Sequence, residues 1–167
     1  LIIFTDKVEK IVPPRKGKQH VLRVLRELLY FEPEDNKTDI GLALEYLSRV
    51  IPRRSVVFLV SDFISSDFEK PLRVASRKHD VIAVNIVDPR ELELPDVGLI
   101  ELEDAETGEQ ILLNTRDPAV RNAFSGETSR ALESRRKMFR SMNGDSVVIN
   151  TGESYVQPLI RFFRMRA

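Results

Sequence analysis

Cysteine is absent from the 167 residues, which excludes a disulfide framework and thiolate chemistry. A reducing compartment fits that absence. Net charge is absent too: 26 Lys+Arg balance 26 Asp+Glu. Bulk charge therefore supplies no attraction to nucleic acid or to an anionic membrane, and no nucleic-acid partner is expected. Long apolar runs are missing. None approaches the ~20 residues of a membrane span, and no signal-peptide pattern is visible, so a membrane is expected only through segments outside this chain. Histidine is scarce. His20 and His79 each stand beside basic residues without metal-ligand spacing, and both are expected at the surface. Neither a Gly-x-Ser-x-Gly turn nor a Cys-His pair occurs, so a nucleophilic triad has no support. The stretch "PPRKGKQH" has basic residues around Gly17 but not the spacing of a phosphate loop. The basic run "SRRKMFR", with Arg161, Arg164 and Arg166, reads first as a solvated helix face and second as a patch for an acidic partner.

What is present is an alternation of strand-like and helix-like stretches, in a chain long enough for one domain with a core. It opens at Leu1 in "LIIFTD", already inside a strand-like run and without a methionine, which reads as a piece of a longer protein. Two short strands are expected around a turn at Thr5-Asp6-Lys7, the second running from Val8 to Val12 and stopped by Pro13-Pro14. Residues 17–31 read as a helix with Val21, Leu25 and Leu28 at helical spacing, and 38–51 as another with the stripe Ile40, Leu44, Leu47 and Ile51. "SVVFLV", residues 55–60, is continuously apolar, which predicts a strand buried on both faces. Residues 67–80 read as a helix with Phe68, Leu72 and Ala75 inward, provided Pro71 falls in its first turn. "VIAVNIVD" is a second buried strand. A hairpin follows, 98–103 with 110–114, turning at Glu106-Thr107-Gly108. Then comes a long helix over about 117–142, with Val120, Phe124, Ala131, Leu132 and Met138 as its burial candidates. "DSVVIN" is a last buried strand. The closing helix presents Tyr155, Leu159 and Phe162 on one face. The order predicts an α/β fold: one domain over 1–167, a doubly wound, mostly parallel sheet with an inserted β-hairpin and long helix at about 96–142.

In such sheets ligands bind beyond the carboxyl ends of the strands. Asp62 stands there, at the exit of "SVVFLVSDF", and Asp88 ends the next strand. Thr38 and Asp39 open a helix after a polar loop, and Ser61 and Ser65 flank Asp62. For each a plain structural reading competes. Ser66 or Asp67 is better placed than Asp62 to cap the helix that follows. Thr38 or Asp39 at a helix start is most often an N-cap, and Asp88 before proline is most often a turn residue.

Three stretches together, "LIIFTDKVEKIVPPRKGKQHVLRVLRELL", "KTDIGLALEYLSRVIPRRSVVFLVSDF" and "HDVIAVNIVDPRELELPDVGLIELEDAETGE", closely resemble the bacterial domain-of-unknown-function family 58, whose members look like von Willebrand factor type A domains. The resemblance implies a metal-ion-dependent adhesion site in which Thr38 and Asp62 are two of the oxygen ligands. A hard cation such as Mg²⁺ takes oxygen ligands, keeps several waters and can accept a partner's carboxylate. The Asp-x-Ser-x-Ser motif that supplies most ligands in type A domains is absent from this sequence. Its strand is expected upstream of Leu1. Mg²⁺ is accordingly expected in the full-length protein and not tightly on this chain.

The function expected from the resemblance is a non-enzymatic protein-interaction module. It would work beside a MoxR-type AAA+ ATPase in assembly or maturation of other proteins, at the cytoplasmic face of the membrane, in a family with membrane-anchored members. Asp39, Ser61, Ser65 and Asp88 would share the partner-binding edge. The rival class is a Mg²⁺-dependent phosphatase or nuclease using Asp62 and Asp88. A third is a phosphoacceptor domain with Asp62 as receiver, which wants an acidic cluster where "LIIFTD" offers only Asp6. The absent strand also poses a structural question: "LIIFT" either pairs directly with "SVVFLV", or a second chain donates a strand, or an upstream segment fills the space. The last is the expectation favoured here.

Overall fold

The computed structural model describes residues 1–65, 67–104, 107–142 and 145–166. Elements run in the order β1 (Ile2–Phe4), β2 (Val8–Ile11), α1 (Lys18–Tyr30), α2 (Ile40–Val50), β3 (Val56–Ser61), α3 (Glu69–Lys78), β4 (Asp80–Val87), β5 (Leu99–Glu103), β6 (Gln110–Asn114), α4 (Pro118–Ser141), β7 (Asp145–Asn150) and α5 (Val156–Arg166). The fold is α/β. β3, β4 and β7 form a parallel sheet in that order, while β1-β2 and β5-β6 are separate antiparallel pairs.

Each element follows from its residues. β4 is apolar almost throughout and is buried along most of its length, because it lies between β3 and β7 with helices on both faces. α2 starts where the Asp39 carboxylate accepts a hydrogen bond from the Leu42 amide at 2.8 Å, satisfying one orphan donor of the first turn. Pro71 is the third residue of α3, where proline is tolerated. The main core joins Ile40, Leu44 and Leu47 of α2 to Leu72 and Ala75 of α3, Leu59 of β3, Val81 and Ala83 of β4, and Phe63, Phe68 and Phe139. A second cluster on the other face joins Ile82, Val84, Val147 and Phe162. Arg166 fastens α5 to that end of the sheet, with bonds to both carboxylate oxygens of Asp80 (2.7 and 2.8 Å) and an ion pair to Asp145 (2.8 Å).

Several expectations are corrected. β3 is not buried on both faces: Val57 and Leu59 pack into the main core, but Val56, Phe58 and Val60 are exposed. The reason is that α2 and α3 cover one face of this edge strand, while on the other face Phe163 of α5 only reaches Phe58, ring centroids 6.2 Å apart. β7 is likewise only partly buried, with Val147 fully so, because it forms the opposite edge. His79 is not at the surface. It is 1% exposed at the end of α3, and among the described residues neither ring nitrogen has a hydrogen-bond partner. The carbon-rich ring fills space between α3 and β4, a role that neighbouring charges in the sequence conceal. In α4 the buried side chain is Phe139; Val120, Phe124, Leu132 and Met138 are half-buried and Ala131 is exposed. Tyr155 is exposed as well, one residue before α5 begins. Helix α3 has Phe68 at its N-cap and no side-chain cap. Asp67 does not cap it; its φ of 58° is left-handed, so the chain enters the helix by placing Phe68 against Phe63, centroids 5.6 Å apart. Ser66 and Glu106 lie outside the described residues.

The hairpin β5-β6 is closed by Thr115, which is fully buried. Its hydroxyl accepts from the Val97 and Gly98 amides, both at 3.1 Å, and donates to the Gly98 carbonyl at 2.8 Å.

Candidate functional site

The residues singled out from sequence fall in two groups, one following β3 and β4 and one around the loop before α2. Asp62 follows β3 directly. Its carboxylate accepts from the Ile64 amide (3.0 Å) and the Ser61 hydroxyl (3.3 Å), and the Ser61 hydroxyl in turn accepts from the Phe63 amide (3.0 Å). Phe63 has a φ of 58°, an uncommon region for a bulky residue. The two side-chain turns and the burial of Phe63 against Phe139 hold it there, with ring centroids 5.0 Å apart and nearly perpendicular. Asp62 thus turns the chain, while its side chain stays exposed. From α4, Arg135 donates to the Asp62 backbone carbonyl at 2.7 Å.

Asp88 ends β4 and accepts from the Arg90 amide at 2.9 Å, starting the 3-10 turn Pro89–Glu91. Glu91 on that turn lies in the field of both aspartates. Burial pushes its carboxyl above the usual carboxylate range, and the charges of Asp62 and Asp88 push it further the same way. Glu91 thus feels both Asp62 and Asp88, and Arg135 touches the Asp62 carbonyl; neither was foreseen from sequence. The signal for Glu91 was its position three residues after Asp88, one helical step away. Arg135 is 73 residues from Asp62 and left no local trace.

The second group lines an open cleft of about 710 Å³ bounded by Asp6, Lys37, Thr38, Asp39, Gly41, Leu42, Glu45, Ser65, Asp67, Pro71 and Thr107. Thr38 stands at its centre in sequence, one residue before the α2 cap. Its carbonyl accepts from the Ser65 hydroxyl at 3.3 Å, and that bond ties the loop after β3 to the loop before α2. Among the described residues no hydrogen bond joins Thr38 to Asp62. Gly41 keeps the cleft floor low: a Cβ there would stand 3.2 Å from an Asp39 carboxylate oxygen and 3.4 Å from the Pro71 ring. Four carboxylates (Asp6, Asp39, Glu45 and Asp67) face one lysine, Lys37, so the cleft is electronegative. Thr107, beside the hairpin turn, closes one side.

Among the described residues no three carboxylates or histidines are grouped to hold an ion, and Mg²⁺ needs near-octahedral oxygen coordination. His79, buried with Ala75 and Val81 as near neighbours in sequence, is no ligand of this edge, and the His20 ring accepts from the Arg15 amide at 3.3 Å.

A family model described as "Protein of unknown function DUF58" matches residues 1–134. The chain belongs to the DUF58 family. Uncharacterized proteins of Mycobacterium bovis and Mycobacterium tuberculosis are 30% identical to it over 158 residues, which are 93% of this chain and 50% of theirs. An uncharacterized protein of Mycobacterium avium is 28% identical over 158 residues, 93% of each chain. This DUF58 chain thus spans about half the length of the first two relatives. No solved structure matches it. The family match takes in both groups of edge residues except Arg135, and all of the 3-10 turn that carries Glu91. Among the described residues no helix is long and apolar enough to cross a membrane.

Proposed function

We propose that this DUF58 chain is a von Willebrand factor type A-like protein-interaction module that docks a partner at the carboxyl edge of its sheet. The observation that carries the reading is the cleft before α2: wide, open, lined by four carboxylates and one lysine, and fixed by the Thr38–Ser65 bond and the Asp39 cap. A surface of this kind suits a lysine- or arginine-bearing segment of a protein, whose cations pair with Asp6, Glu45 and Asp67. The partner proposed is a MoxR-type AAA+ ATPase, as the sequence resemblance implies, acting in assembly or maturation of other proteins at the cytoplasmic face of a membrane. Mg²⁺ joins the scheme only in a longer protein that adds ligands to Thr38 and Asp62. The test is calorimetric titration of the chain with the MoxR-type ATPase, repeated with Glu45→Lys and Asp6→Lys. Both residues are exposed, so both variants should fold. Saturable binding that weakens at least tenfold on charge reversal supports the reading. Binding that is absent, or indifferent to both reversals, refutes it.

A second reading has one observation in its favour: the charges of Asp62 and Asp88 both act on Glu91, raising its carboxyl. Such grouping is what a Mg²⁺-dependent phosphatase or nuclease uses, although these residues alone do not complete a metal site. Hydrolysis of a phosphate ester in Mg²⁺, lost in Asp62→Asn, would establish it.

A further inference from the structure

The hairpin β5-β6 is a two-stranded sheet by itself, and among the described residues no third strand joins either of its edges. A hairpin alone in water is marginal, yet this one is tied at both ends. Thr115 locks its base. At its tip the Asp104 amide donates to the Glu109 carbonyl at 2.9 Å, and the Asp104 carboxylate accepts from the Thr107 amide at 2.9 Å. The two edges are therefore set in strand conformation before anything binds, which lowers the cost of adding a strand to them.

The edges differ in charge. β6 has no charged residue. β5 carries Glu101 and Glu103, and between Arg90 and Arg116 the chain has no lysine or arginine to offset them. Side chains alternate along a strand: Leu99, Glu101 and Glu103 are exposed on one face of β5, while Ile100 and Leu102 are half-buried on the other. Glu103 accepts from the Gln110 side chain at 3.1 Å, and among the described residues neither Glu101 nor Glu103 is in an ion pair. Charges on an edge strand can serve simply to repel other edges. That role does not account for Val97, Leu99, Ile111 and Leu112 on the same hairpin, which are 58–69% exposed.

We propose that the outer edge of β5 receives an extended segment of a partner protein as a third strand, one in which lysine or arginine alternates with apolar residues. Neighbouring strands set the side chains of one face side by side. Cations at every second position then stand beside Glu101 and Glu103, and the apolar residues between them extend the face of Ile100 and Leu102. Backbone hydrogen bonds supply the affinity of such an added strand, and the alternation supplies its specificity. A second copy of this chain adding its own β5 would bring carboxylates against carboxylates, and one adding its β6 would leave Glu101 and Glu103 without cations. Polyanions such as nucleic acid are repelled. The inference is independent of the docking proposed at the cleft before α2: that cleft touches the hairpin only at Thr107 among the described residues, and the edge of β5 needs none of its carboxylates.

Two capped synthetic peptides of one composition test it, Lys-Val-Lys-Val-Lys-Val and the block sequence Lys-Lys-Lys-Val-Val-Val, each titrated into the chain by calorimetry and followed by hydrogen exchange. The expected result is saturable binding of the alternating peptide, about tenfold tighter than the block peptide, with the β5 amides directed away from β6 exchanging about tenfold more slowly in the complex. Glu101→Lys combined with Glu103→Lys, at two exposed positions, should weaken that binding about tenfold, because two cross-strand attractions become repulsions. Absence of binding overturns the proposal, and so does equal binding of the two peptides, which is plain charge attraction. Unchanged β5 exchange in the complex overturns it as well. So does binding that survives the double reversal but is lost in Glu45→Lys, which puts the peptide in the cleft. A dimer mass by sedimentation with the outer β5 amides already slow in the free chain overturns it in favour of a second copy.

Discussion

Replacing Phe139 by alanine should loosen the site from a distance. Phe139 is 3% exposed and is the buried residue of the 24-residue helix α4. Its ring meets the Phe63 ring edge-on at 5.0 Å. Truncating a buried phenylalanine costs about 3–5 kcal/mol, and an edge-to-face pair adds about 0.5–1.5 kcal/mol beyond area. Met138 and Met142 border the same cluster and are flexible enough to enter the hole. Their movement puts the expected loss at the low end, about 3 kcal/mol. A small domain has about 5–15 kcal/mol in all, so the variant should still fold. Urea unfolding followed by circular dichroism reads the loss as a lower midpoint at unchanged slope. Phe139→Leu should lose under about 1.5 kcal/mol. Because Arg135, one helical turn before Phe139, holds the Asp62 carbonyl, exchange at residues 61–65 should also accelerate in Phe139→Ala. A loss below about 1 kcal/mol, or unchanged exchange at 61–65, would refute the claim that α4 is pinned by this ring and steadies the Asp62 turn.

Thr115→Val leaves the Val97 and Gly98 amides without their buried acceptor, and should cost about 1–3 kcal/mol, read as a lower urea midpoint with the hairpin amides exchanging first. Asp39→Ala removes the α2 cap and should cost about 1 kcal/mol, with Asp39→Asn nearly neutral. Burial, with a smaller push from Lys78, holds the His79 pKa below its ordinary value, so below about pH 6.5 the unfolded chain binds a proton that the folded chain refuses. The His79 contribution is thus fully present above that pH and declines as the pH falls toward the lowered folded value. Urea midpoints measured from pH 7.5 to 5 should fall less steeply in His79→Leu than in the parent chain.

The elements were legible because their signals are local. The alternation of charged and apolar residues marked β2, the unbroken apolar run marked β4, and the stripe of Ile40, Leu44 and Leu47 marked α2. What each element faces was less legible. "SVVFLV" has the composition of a central strand, and only the tertiary arrangement makes it an edge. His79 sits among Arg77, Lys78 and Asp80, so its neighbours advertise solvent while its backbone position at the end of α3 turns the ring inward. Thr38, Asp39, Ser65, Asp62 and Asp88 stand out one by one as oxygen-bearing side chains near the ends of elements. The room that Gly41 leaves in the cleft, the field that Asp62 and Asp88 exert on Glu91 and the Arg135 bond to the Asp62 carbonyl act across loops and helices and have no periodicity to betray them.

The pairing of β4 with β7 sets a timetable for the chain as it is made. Ile82 pairs with Asp145, so about sixty residues, including the hairpin and the whole of α4, must be polymerised before the second edge of β4 is closed. At roughly 5–20 residues per second this takes several seconds, during which the most apolar strand of the protein has one partner at best. The charged faces of α4 and the tight Thr115-locked hairpin emerge in that interval.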